Sequence, residues 1–231
     1  MASGQRPAAF FDVDGTLLTV QSGTLYLGYL RRHGLMDLSD LVRIYWSFLT
    51  YRLGMLNVKG LAEVSSRWLA GQLESDVAEH CRRWYETEVA GYFSEAMLAK
   101  VAEHQSAGHV VALLTGGTRY LNDWIAADLG IEHLLASRLE VVEGRFTGQP
   151  VGPLCYGRGK IAHAEAFAED QGIDFAESWF YSDSITDMPM LERVGRPVAV
   201  NPDPRLRLEA KRRNWPLLAA GSRTHIRRNA A

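Results

Sequence analysis

Apolar residues fall into two textures along this chain. Ala8–Phe11 is a short unbroken apolar run that stops at Asp12-Val13-Asp14-Gly15-Thr16. That pattern predicts a buried strand ending in a turn, with Gly15 free to take a backbone angle closed to other residues. From about Gln21 to Tyr92 the apolar positions recur three and four apart. Leu38, Leu41, Val42, Tyr45, Trp46, Phe48 and Leu49 are one such series, and Val77, Cys81, Trp84, Tyr85 and Val89 another. The spacing predicts about four helices, separated near residues 33–34, 54–57 and 71.

Beyond residue 93 the texture alternates. A helix over 94–107 ends at Gly108, and His109-Val-Val-Ala-Leu-Leu-Thr115 is a buried strand closed by Gly116-Gly117. A helix over 120–129 ends at Gly130, a strand covers 134–137, and a hairpin turns at Glu143-Gly144. Then come a helix over 160–171, a strand over 178–182 leading to Asp183, a short helix ending near Gly195, a strand over 197–200 and a last helix over 204–213. Strands alternating with helices predict a Rossmann-like, doubly wound α/β core: a parallel sheet with helices on both faces. The all-helical stretch interrupts its first strand-to-helix connection. The expected division is a core made of 1–18 and 93–231, with 19–92 inserted as a helical cap.

Length agrees, because 231 residues exceed one domain of ~150 residues without reaching two. Apolar residues at 47% and charged residues at 23% describe a globular chain rather than a disordered one. The net charge of -2 argues against a surface dedicated to nucleic acid. No secretory leader and no uncharged apolar run of about 18 residues is visible, so no membrane insertion is expected and the chain reads as cytoplasmic. Cys81 and Cys155 show no zinc spacing and read as reduced core residues.

In open parallel sheets, ligands bind outside the carboxyl ends of the strands. Those ends carry Asp12 and Asp14, Thr115 with Gly116, and Asp183 with Asp187, while Lys160 opens the helix between them. Side chains two apart on extended backbone leave on the same side, so Asp12 and Asp14 converge. Crowded carboxylates resist joint ionisation, and a hard divalent cation relieves them. Magnesium suits a site that also holds phosphate. The Thr115 hydroxyl, the Gly116 and Gly117 amides beside a helix start, and the Lys160 charge are suited to a phosphate. Together they predict a magnesium-assisted phosphoryl site with a carboxylate as nucleophile.

FFDVDGTL, LLTGGT, the Lys160 region and YSDSITDMPML, in that order, resemble the four motifs of haloacid-dehalogenase-like phosphohydrolases. The run from Tyr181 to Leu218 looks most like the phosphoserine-phosphatase-like branch, subfamily IB. That resemblance implies roles. Asp12 becomes the nucleophile that forms an aspartyl-phosphate. Asp14 is the acid for the leaving oxygen and then the base for water. Thr115, Gly116 and Lys160 hold phosphate. Asp183 is implied as a direct Mg2+ ligand with Asp12 and the Asp14 carbonyl, and Asp187 as a partner acting through water or a neighbouring group. The second motif departs from the usual serine followed by Ala-Ser, since Thr115-Gly116-Gly117 stands there.

The implied activity is hydrolysis of a small phosphomonoester. Phosphotransfer or mutase chemistry on the same scaffold is the first alternative, and a non-catalytic phosphate-binding regulator the second. Phosphoserine phosphatases carry a glutamate for the substrate ammonium where this chain has Gln21, so phosphoserine is disfavoured. Arg43, Tyr45, Trp46, Arg52 and Lys59 are candidate cap contacts for another leaving group, or an aromatic face packed inward. Histidinol phosphate, a lipid-head phosphate and a sugar phosphate all stay open. The segment after Asn201 holds eight Lys and Arg residues, and its end, with Arg223, Arg227 and Arg228, reads as a solvated, frayed terminus. The sequence does not set an oligomeric state.

Overall fold

The computed structural model describes residues 5–35, 37–39, 42, 46 and 69–226. Its centre is a six-stranded sheet in which every neighbouring pair is parallel. The strands are β1 (Ala8–Phe11), β3 (Val110–Thr118), β4 (His133–Ser137), β7 (Trp179–Ser182), β8 (Arg196–Val200) and β9 (Leu217–Leu218), in the order β4-β3-β1-β7-β8-β9. The chain builds outward from β1 to one side and later to the other, so β1 is the switch point. The open crevice lies at the carboxyl ends of β1, β3 and β7.

Alternation along β1 explains why both faces are covered. Ala9 and Phe11 pack with α3 (Glu95–Ser106), α4 (Arg119–Leu129), α1 (Ser22–Arg32) and α2 (Glu74–Thr87). Ala8 and Phe10 pack with α5 (Arg158–Gln171), α6 (Met188–Arg193) and α7 (Pro204–Arg212). Phe10 and Phe11 are fully buried, each contributing about 1.5–3 kcal/mol of apolar transfer. No helix among the described residues is long and apolar enough to cross a membrane.

The punctuation read from the sequence sits where expected. Gly130 and Gly172 close α4 and α5 in the left-handed conformation. Glu143 and Gly144, both at positive φ, turn the antiparallel hairpin of β5 (Leu139–Val142) and β6 (Arg145–Pro150). The hairpin grips the segment before α2: the Gly71 N–H donates to the Phe146 carbonyl at 2.8 Å, and the Glu74 N–H to that of Gly144 at 2.9 Å.

Three expectations change. β3 continues through Gly116-Gly117 to Thr118 rather than closing at Thr115. Leu217–Leu218 adds a sixth strand, β9, beside β8. The basic terminus is not frayed as far as it is described, because β10 (Arg223–Thr224) pairs antiparallel with β2 (Phe93–Ser94). Arg227 and Arg228 lie outside the described residues. So do the greater part of the two middle helices of the expected cap and Arg43, Tyr45, Arg52 and Lys59, whereas Trp46 is described and exposed. Cys81 and Cys155 are buried and unbridged, as expected.

Candidate active site

Asp12 follows β1 directly, and its N–H donates to the Tyr181 carbonyl at 3.0 Å, continuing the β1–β7 ladder by one bond. The chain then turns. The Leu18 N–H bonds back to the Val13 carbonyl at 2.9 Å, and Gly15 takes φ 72°. A Cβ on Gly15 would lie 2.2 Å from Asp183 Oδ2, so the turn needs glycine for both angle and space. Asp12 and Asp14 both keep extended angles (ψ 157° and 126°), and the turn is made at Gly15. Asp14 Oδ1 accepts the N–H of Ser22, the first residue of α1, at 2.8 Å.

Lys160 sits in the first turn of α5, which begins at Arg158 rather than at the lysine. Its Nζ donates to Asp12 Oδ1 at 2.6 Å and to Asp187 Oδ2 at 2.7 Å, and all three residues are buried. Asp187 Oδ2 also accepts the Ser182 hydroxyl at 2.7 Å. Burial alone would depress the lysine's pKa. The two carboxylates outweigh it and hold the ammonium well above its usual range.

Asp183 is less well served. Among the described residues, its side-chain bond is from Gln21 Nε2 at 3.4 Å. Burial, then the charges of Asp12 and Asp187, push its carboxyl up to about 8. Burial is also the main cause that raises Asp12 to about 7, with Lys160 opposing it and Asp187 and Asp14 adding to it. Asp14 is raised too, again by burial first. Among the described residues, Asp12, Asp14, Asp183 and Asp187 thus share one ammonium, a deficit of positive charge that suits a cation with oxygen ligands. Among the described residues, no three His, Cys, Asp or Glu side chains close into a cage for a metal. Mg2+ does not need one, because it keeps several waters and uses one or two carboxylates beside a phosphate.

Thr115 is buried at the edge of the same crevice, and its Oγ1 accepts the Gly117 N–H at 3.2 Å. Gly116 beside it is exposed. The crevice therefore joins Asp12, Lys160 and Asp187 directly, with Asp14 and Asp183 near enough for charge to act between each of them and Asp12. Two contributors escaped the sequence reading: Ser182 on Asp187 and Ser22 on Asp14. Gln21 was read as the position of the ammonium-binding glutamate, and its bond to Asp183 is the part that was not read. For the two serines the chain offered no signal, because each bond depends on where a turn directs a small hydroxyl or an amide.

Residues 9–192 match the haloacid dehalogenase-like hydrolase family model. The chain is 29% identical over 215 residues to the histidinol-phosphatase of Neisseria meningitidis serogroup C (strain 8013), covering 91% of this chain and 97% of that protein. It is 33% identical over 212 residues to a phosphoserine phosphatase of Mycobacterium tuberculosis (strain ATCC 25618 / H37Rv), covering 90% and 69% respectively. A crystal structure of a protein of unknown function from Bordetella pertussis Tohama I superposes with a TM-score of 0.86 at 30% identity, covering 94% of this chain and 99% of that one.

Proposed function

The chain belongs to the haloacid dehalogenase-like hydrolase family, and on that premise we propose that it is a phosphatase: a magnesium-dependent phosphomonoesterase for a small phosphorylated metabolite, acting through an aspartyl-phosphate. The observation that carries the reading is Asp12 at the switch point, with Oδ1 held by Lys160 and Asp183 alongside.

With Oδ1 engaged, the second carboxylate oxygen of Asp12 is the one left to attack phosphorus. The new O–P bond forms as the bond from phosphorus to the leaving oxygen breaks. Asp14 is suited to give that oxygen its proton. Burial raises its pKa against the hydrogen bonds that Ser22 gives its carboxyl, which favours a protonated Asp14 before the transfer. Once ionised, Asp14 takes a proton from the water that cleaves the acyl-phosphate and restores Asp12. Lys160, the Thr115 hydroxyl and the Gly116-Gly117 amides bind the phosphoryl oxygens. Asp12, Asp183 and the Asp14 carbonyl would hold Mg2+, with Asp187 reaching it through water. When bound, that ion draws charge from the phosphoryl oxygens and offsets the carboxylate repulsion.

We assign 1–18 and 93–231 to the core and 19–92 to a cap that closes over the leaving group, in a cytoplasmic enzyme. Relatives named for histidinol phosphate and for phosphoserine put both among the substrates to test, with phosphoserine the less favoured of the two because Gln21 stands where phosphoserine phosphatases carry a glutamate. Gln21 brings no charge to the crevice, which favours a leaving group recognised by hydrogen bonds over one recognised by its ammonium.

The test is phosphate release from phosphoserine, histidinol phosphate, sugar phosphates, a lysophospholipid phosphate and an aryl phosphate, with and without Mg2+. Wild type is expected to need the metal, and Asp12→Asn to lose at least about 1,000-fold in kcat. Metal-independent release, or release that survives Asp12→Asn, would defeat the reading. Turnover that appears only with a second acceptor would replace hydrolysis by phosphotransfer.

A further inference from the structure

We infer that Ser137, on the strand beside the phosphate loop, is a positioning residue that aims the Gly117 amide into the crevice and ties that loop to the segment bearing Lys160. This rests on the phosphatase reading of the site.

The argument starts from an irregularity in the sheet. β3 and β4 pair Thr115 with Ala136, and the next pair is Thr118 with Ser137. Gly116 and Gly117 therefore bulge from β3 with no partners on β4. A bulged carbonyl loses its ladder bond, and here a side chain replaces it. The Ser137 hydroxyl donates to the Gly116 carbonyl at 2.9 Å. A trans peptide points its C=O and N–H in opposite directions. Pinning the Gly116 carbonyl toward β4 therefore turns the Gly117 N–H away from it, toward Thr115 Oγ1 at 3.2 Å. That is the side on which the phosphate reading places the anion.

The same hydroxyl has a second function. Ser137 Oγ accepts the Cys155 N–H at 3.0 Å, and Ser137 is buried. From Cys155 the chain reaches Lys160 through a closely fitted segment. Gly157 takes φ 52°, and a Cβ on Gly159 would lie 1.8 Å from the Leu154 carbonyl oxygen. That segment has little room to shift, so a fixed Cys155 fixes where α5 starts and where Lys160 enters. One hydroxyl, using its proton and one lone pair, thus holds two separate anion-binding pieces in register. Tyr156 limits the loop from the other side, since a Cβ on Gly116 would lie 3.1 Å from Tyr156 Cδ2.

The experiment compares wild type, Ser137→Ala and Ser137→Thr in kcat, KM and the dissociation constant for inorganic orthophosphate with Mg2+ present. Ser137→Ala is expected to lower kcat and weaken orthophosphate binding by about 10-fold or more, as for a misaimed oxyanion donor. Ser137→Thr, which keeps the hydroxyl, should recover to within about 3-fold. Hydrogen exchange at the Gly117 amide should quicken in Ser137→Ala only. Val101→Ala, a buried change on α3, serves as the stability control and should leave orthophosphate affinity unchanged. Should Ser137→Ala fail to fold, Ser137→Thr against the equally bulky Ser137→Val makes the same comparison. Unchanged kcat and orthophosphate affinity on losing the hydroxyl, with wild type active, overturns this inference alone. A wild type that neither binds orthophosphate nor releases it from any ester overturns the phosphatase reading, and this inference with it.

Discussion

Asp12, Asp14, Thr115, Lys160, Asp183 and Asp187 were legible as candidates because each is a charged or hydroxylated residue at or just beyond the predicted end of a strand, or at the start of a helix. What surrounds each of them was not legible. Gly15 shows the difference. As a turn residue it was readable, but its reason lies 168 positions downstream, where the Asp183 carboxylate occupies the space a side chain would fill. Gly15→Ala would force a left-handed angle on a residue with a Cβ, costing about 1–3 kcal/mol. It would also press on Asp183 Oδ2. The expected result is a lower melting temperature together with an activation constant for Mg2+ raised about 10-fold or more. Thermal melts and a metal titration of the rate check both. A stable variant with an unchanged metal requirement would show that Asp183 is not held where metal binding needs it.

The longer elements announced themselves through period and punctuation: four apolar residues and a stop for β1, glycines closing α4 and α5, and Glu143-Gly144 turning the hairpin. The pieces that were missed are two residues long. β2, β9 and β10 have no period to read and exist only because a distant partner offers a ladder. Ser94 joins such a piece to a long one. Its hydroxyl oxygen accepts the Met97 N–H, capping α3, and donates to the Ala220 carbonyl at 2.5 Å. Nearby, Ser222 bonds Glu95, and the Ile226 N–H reaches the Ala90 carbonyl at 3.0 Å. Ser94→Ala should therefore cost about 1–2 kcal/mol for the lost cap and the stranded carbonyl. Truncation after residue 219 should destabilise the chain as well. The two changes combined should cost less than their sum, because they remove a shared bond. Denaturant melts of the four proteins measure this, and strict additivity would mean that the terminal strand does not pack on α3.

Across the whole molecule, the site works against the stability of the fold, and pH exposes the conflict. Asp12 and Asp183 ordinarily titrate near 3.8, but in the fold they are raised to about 7 and about 8. Between those limits the folded protein holds protons that the unfolded chain has released. By linkage, the metal-free protein loses stability as pH rises from 3.8 toward about 8. His104, at the end of α3, has the opposite sign. Buried between His109 and the Tyr181 hydroxyl, it drops from 6.5 to about 4, mainly through burial, with the His109 charge adding to the effect. Its contribution is lost as pH falls through that range. Mg2+ takes ionised carboxylates, so binding must displace the protons that Asp12 and Asp183 retain. The rise in melting temperature on adding MgCl2 should accordingly be small near pH 5, grow through about pH 8 and level off above it. Asp183→Asn should flatten that growth while leaving the acid-side loss due to His104 in place. Melts at fixed ionic strength, with and without MgCl2, decide the matter. A metal-induced shift of constant size across this window would mean that the carboxylates are already ionised without the ion, and that the crevice stores no charge deficit for Mg2+ to relieve.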